Sequence, residues 1–221
     1  MQIPVIFEDE SILVIDKPSG VVVHPFDFSD EKTVLDFLHS HSPSSFAIEN
    51  SITLQDGRTI NLGGIVHKLD RETSGVMVIT KNQNTFDELR KEFTDHTVSK
   101  TYIALVEGIV EQDAFRIDAP LGRGKKDYKQ STNPVNPRGQ LREAITDVKV
   151  LKRNIDTTLI ELTPLTGRTH QLRAHMSSIG QPIIGDIAYG SNTKESRIML
   201  HAKSISVQGK LFKAPTPLEF K

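Results

Sequence analysis

The sequence predicts an α+β fold with a mixed, largely antiparallel sheet and flanking helices. Three observations lead there. Short apolar runs recur along the chain and are joined by polar or Gly-containing turns, as in hairpins. Helical spacing of apolar residues occurs in only a few places, too few for helices to alternate with every strand. At 221 residues the chain is long enough to bury a core without staples, and it has no cysteine to make any.

The elements follow in order. Pro4–Phe7 and Ile12–Ile15 form a hairpin across the acidic turn Glu8-Asp9-Glu10-Ser11. Lys17-Pro18-Ser19-Gly20 is a turn without phosphate-loop spacing, and Val21-Val22-Val23 resumes an extended run. Thr33 can cap a helix bearing Val34, Leu35, Phe37 and Leu38. Residues 42–64 are polar and irregular, a loop or an added hairpin. Gly75–Thr80 is a buried strand. Asn82 or Asn84 caps a helix with Phe86, Leu89 and Phe93 on one face. Tyr102–Val106 is the next strand. Residues 122–142 make an exposed loop with six Lys/Arg and one Asp. Ala144–Leu151 and Thr157–Leu165 pair around Arg153-Asn154-Ile155-Asp156. A helix runs from near Gly167 to Gly180, and Ile198–Val207 pairs with Lys210–Phe212 across Gln208-Gly209. With no repeat and no linker, residues 1–221 are expected to form one catalytic-type domain.

Composition narrows the function. Absence of cysteine removes thiolate metal sites, disulfides and a cysteine nucleophile. The N-terminus lacks a secretory pattern and no apolar run approaches a membrane span, so a cytoplasmic, soluble protein is expected. The net charge of −1 hides an asymmetry: residues 1–60 carry −7, residues 61–120 carry −3 and residues 121–221 carry +9. Either a polyanion binds one face, or the opposite charges pair across the fold. The histidines His39, His41, His170 and His175 have no helical i,i+4 pairing with a carboxylate, so no metal is expected. Gly-x-Ser-x-Gly is absent, so Ser74-Gly75 is no nucleophile elbow.

Three segments stand out. In His67-Lys68-Leu69-Asp70-Arg71-Glu72-Thr73-Ser74-Gly75, a carboxylate lies between two cations just before a strand. It is either a turn-capping aspartate or one put to chemical use. In Lys100-Thr101-Tyr102-Ile103-Ala104-Leu105-Val106-Glu107-Gly108, the tyrosine either fills the core or offers its phenol to a ligand. Thr163-Pro164-Leu165-Thr166-Gly167-Arg168-Thr169-His170-Gln171-Leu172-Arg173-Ala174-His175 reads as a strand, a Gly turn and a helix start rich in donors. Arg168 there can make a fork-like pair with a carboxylate. His170 and Arg173 either contact RNA phosphate or satisfy the fold. The loop residues Lys125, Lys126 and Lys129 either close over an RNA backbone without reading its sequence or lie on a solvated loop.

Taken together, in register and nearly over the full length, these blocks resemble the RluA-like pseudouridine synthases. The resemblance extends from the N-terminal EDESILVIDKPSGVVVHP through TGRTHQLRAHMSSIGQPIIGDIAYG to the last hairpin. It implies a mixed sheet with a central RNA-binding cleft, and an enzyme that isomerises uridine in rRNA or tRNA without metal or cofactor. It implies Asp70 as the catalytic carboxylate, Tyr102 against the base and Arg168 as the partner of Asp70. It further implies RNA contacts from Lys68, Arg71, Lys125, Lys126, Lys129, His170 and Arg173. One departure concerns Lys68, where the family usually has an arginine linked to base flipping; an ammonium lacks the planar fork for that role. The chain also begins at the catalytic block, like a compact, monomeric subgroup acting on stem-loops. The competing reading is an RNA-binding or RNA-folding factor that retains the fold and has lost catalysis.

Overall fold

The computed structural model describes residues 1–25, 32–54, 57–123, 129–134 and 137–220. Its elements are β1 (Val5–Glu8), β2 (Ile12–Lys17), α1 (Val34–His41), α2 (Pro43–Phe46), β3 (Ser51–Thr53), β4 (Thr59–Asn61), β5 (Ser74–Thr80), α3 (Gln83–Thr94), β6 (Ser99–Glu107), β7 (Ala114–Asp118), β8 (Gly122–Arg123), β9 (Gln130–Ser131), β10 (Ile145–Arg153), β11 (Thr157–Pro164), α4 (Gln171–Ser178), β12 (Leu200–Val207) and β13 (Lys210–Lys213). Short 3₁₀ turns occupy Ile187–Tyr189 and Leu218–Phe220. The chain divides into two compact units, Met1–Val98 with Ala202–Pro215 and Ser99–His201 with Thr216–Lys221.

In the first unit the strand order is β1-β2-β5-β12, with β13 on β12. The β1–β2 turn closes because Asp9 Oδ1 accepts from the N–H groups of Ser11 and Ile12, each at 2.8 Å. Leu13, Val14 and Ile15 of β2 and Val76–Ile79 of β5 are buried, so these central strands read as continuous apolar runs rather than alternating ones. Thr33 caps α1 in a full capping box with Asp36, an arrangement worth about 1 kcal/mol. Asn82, not Asn84, caps α3 by accepting from Thr85 N at 2.9 Å, and α3 packs Phe86 and Leu89 inward beside β5.

One expectation changes here and one of two alternatives is decided. Val21–Val23 is not a strand: the carbonyls of Val22 and Val23 accept from Val34 N and Leu35 N, so they serve the first turn of α1. Residues 42–64 hold the added hairpin, β3 with β4, preceded by α2 with Pro43 at its start. The final hairpin turns on Gln208 (φ 48°) and Gly209 (φ 71°), both left-handed as a two-residue turn of this kind requires.

In the second unit β6-β11-β10-β7 form consecutive antiparallel ladders. Ile103, Val106, Val148, Ile160 and Leu162 from the strands and Leu172 and Met176 from α4 share one core with Ile183, Ile184 and Phe220. Strand β7 went unrecognised in the sequence, although Phe115 and Ile117 alternate with polar neighbours. The basic loop contains a short ladder, β8 with β9. α4 begins at Gln171, four residues later than the sequence implies, because His170 adopts a left-handed φ of 52°. Among the described residues no helix is long and apolar enough to cross a membrane.

Candidate active site

Asp70 belongs to the first unit and is half-buried, in the segment of chain between Ile65, which bridges to Ile79, and the start of β5. Its carbonyl accepts from Thr73 N at 3.1 Å, closing a turn over Arg71 and Glu72. The outer side of that turn is gripped by the Lys17–Gly20 segment. Arg71 O accepts from Gly20 N at 2.9 Å and from Lys17 Nζ at 3.0 Å, and Glu72 O accepts from Ser19 Oγ at 2.7 Å. Lys17 is fully buried, and its ammonium also donates to Pro18 O and Val21 O. Three donors meet three carbonyl dipoles, which is what makes a buried ammonium tolerable. A turn that looked incidental in the sequence therefore fixes the backbone carrying Asp70.

His67 fixes the other end. Its Nε2 accepts from Val78 N at 3.0 Å, and its ring stacks on Phe93 at 5.0 Å and 21°. Accepting at Nε2 requires the neutral ring with its proton on Nδ1. At Gly75 φ is 114°, and a Cβ there would fall against the carbonyl oxygen of Ala202. Only glycine allows β5 and β12 to lie so close. Lys68 and Arg71 are exposed. Arg71 Nε lies 3.5 Å from Glu72 Oε1 with both side chains largely in solvent, a pair worth little. Burial holds the His24 imidazole below its ordinary range, and the positive charge of Lys68 adds to this against the opposing bond to Pro25.

Tyr102 and Arg168 belong to the second unit. Tyr102 is half-buried on β6, opposite Leu162 of β11. Arg168 sits in the turn between β11 and α4, where its Nε donates to Glu143 O at 2.9 Å. This turn is organised by Gln171, a residue the sequence did not single out. Gln171 Oε1 accepts from Thr166 Oγ1 at 2.8 Å and Arg168 N at 3.0 Å; its Nε2 donates to Ile145 O at 2.9 Å and Thr146 Oγ1 at 3.1 Å. Thr146 in turn meets Nδ1 of the buried His175, whose Nε2 faces Ala119 O, both at 2.9 Å. Burial depresses the His175 pKa, against smaller opposing effects of Ala119 and Asp118, so the ring is a neutral link in this network. Replacing Gln171 by leucine strands several buried polar groups at once. Urea denaturation of the Gln171→Leu protein is expected to show a loss of about 2–4 kcal/mol.

The structure corrects one assignment. Arg173 is 8% exposed and spends Nε and Nη2 on Asp186, at 2.6 and 2.9 Å, with its guanidinium 4.8 Å from the Tyr189 ring centre. It is a core ion pair rather than a contact for phosphate, because a buried guanidinium already committed to a carboxylate cannot meet a polyanion. His170 is half-buried, with Nδ1 2.9 Å from Tyr189 Oη, and the same phenol oxygen accepts from Gln130 N at 2.9 Å. Lys129 is exposed; Lys125 and Lys126 lie outside the described residues. Among the described residues no three His, Asp or Glu side chains are grouped to hold a metal.

The family model for RNA pseudouridylate synthase matches residues 11–178, a span that contains the Asp70 turn, Tyr102 and the Arg168 turn. The chain belongs to this family. Its RluA-like character agrees with its curated relatives. It is 37% identical over 190 residues to an uncharacterized RNA pseudouridine synthase of Bacillus subtilis, covering 86% of this chain and 58% of that one. It is also 37% identical to ribosomal large subunit pseudouridine synthase D of Pseudomonas aeruginosa, covering 86% and 54% respectively. The chain thus spans less than two thirds of the length of these relatives. Human RNA pseudouridylate synthase domain containing 1 superposes with a TM-score of 0.75 at 24% identity, over 98% of this chain and 83% of that one. The α+β expectation holds, and the fold is that of a pseudouridine synthase domain.

Proposed function

We propose that this family member isomerises uridine to pseudouridine in structured rRNA or tRNA, with Asp70 as the catalytic carboxylate. The observation that carries this reading is the backbone grip on the Asp70 turn: Lys17, Ser19 and Gly20 hold the carbonyls of Arg71 and Glu72. Such anchoring suits a residue whose carboxylate must meet one atom of a bound nucleotide. The carboxylate either attacks the sugar or removes a proton from it, and the base departs with the electron pair of its bond to the sugar. Carbon 5 of the turned base then bonds to the sugar and gives up its proton, while the former glycosidic nitrogen gains one. The reaction is redox-neutral and its atoms balance without any cofactor.

In this reading Tyr102 stacks on the base and assists proton removal, and Arg168 serves as the partner of Asp70. Lys68, Arg71, His170 and the basic loop with Lys125, Lys126 and Lys129 meet the RNA backbone. The names of the relatives favour ribosomal RNA, and the protein acts as a cytoplasmic monomer on a stem-loop. The test is incubation of purified protein with rRNA and tRNA transcripts, followed by position-resolved pseudouridine detection. A new pseudouridine at discrete positions is expected; none at any position on any transcript sinks the proposal.

A further inference from the structure

Lys100 lies two residues before Tyr102 on β6, and side chains at i and i+2 of a strand stand on the same face. The side chain is half-buried. Its ammonium rests against the turn that carries Arg168: Nζ is 3.9 Å from where a Cβ would stand on Gly167. Burial also lowers the pKa of Lys100, a mark of a cation partly stripped of water. A partly desolvated cation is suited to meet negative charge that develops only during a reaction.

We propose that Lys100 contacts the target base and stabilises the uracil anion formed when the bond from the base to the sugar breaks. The inference rests on the synthase reading above. If Tyr102 stacks on the base, a neighbour on the same strand face reaches the polar edge of the ring rather than its phosphates. Whichever route Asp70 takes, the electron pair of the broken bond leaves with the base and spreads onto its carbonyl oxygens. An ammonium donating there is worth little to neutral uridine and much to the departing anion. When carbon 5 forms the new bond, that electron pair enters it, the base becomes neutral and the interaction relaxes.

The test compares wild type, Lys100→Met and Lys100→Arg on the rRNA or tRNA transcript that the wild type modifies. Binding is measured separately from single-turnover consumption of the nucleoside. For Lys100→Met, RNA affinity within about threefold of wild type and a rate loss of about 100-fold are expected, the scale of losing one oxyanion donor. Lys100→Arg should recover part of the rate. A transcript carrying 5-fluorouridine supplies a more stable leaving anion, so the Lys100→Met defect should shrink below about tenfold on it. A purely structural lysine would leave the defect equal on both RNAs. An equal defect, an unchanged rate, or parallel losses of binding and rate overturns the role of Lys100. No turnover by the wild type overturns the synthase reading itself.

Discussion

The Asp70→Asn protein is expected to bind RNA as the wild type does and to form no measurable pseudouridine, a loss above about 10⁴-fold. Asparagine preserves the size of the side chain and leaves the turn intact, since the bond to Thr73 N and the grip of Lys17 and Gly20 all use backbone carbonyls. What it removes is the charge and the basic oxygen, so neither attack on the sugar nor proton abstraction remains. If Asp70 merely capped a turn, asparagine would cap equally well and activity would survive. A gel-shift titration and position-resolved pseudouridine detection on the same preparation separate the two cases.

Lys17→Met is expected to lose about 2–4 kcal/mol of stability and to slow turnover more than it weakens RNA binding. Methionine fills much of the same volume, and removing a buried charge relieves some desolvation. That relief does not compensate Pro18 O and Val21 O, which face the ammonium from inside the fold. Arg71 O keeps its bond from Gly20 N, so the turn is loosened rather than lost. The denaturation midpoint reports the stability, and amide exchange at Thr73, whose N–H closes the turn onto Asp70 O, reports the loosening. An unchanged midpoint together with unchanged Thr73 exchange would show that the clamp is dispensable.

The sequence was most legible where one local rule governs. The β10–β11 hairpin follows from two apolar runs around a polar turn, and Asn82 and Thr33 announce α3 and α1 because a cap is a local interaction. It was least legible where a distant partner decides. Lys17 is a buried clamp only because the chain returns at Arg71, 54 residues later. Gln171 organises the Arg168 turn through Ile145 and Thr146, which no spacing rule connects to it. Arg173 could serve phosphate or the core until Asp186 is placed beside it. Lys100 escaped because the sequence starts this strand at Tyr102; with β6 beginning at Ser99, the two residues share one face.

The bond from Val78 N to the His67 ring turns an ordinary sheet amide into a built-in spectroscopic probe. An imidazolium has no lone pair to receive that N–H, so the chemical shift of the Val78 amide should follow the ionisation of a ring three residues from Asp70. Recorded with and without RNA, that single resonance would report whether nucleotide capture tightens the Asp70 segment, with no label near the reacting groups.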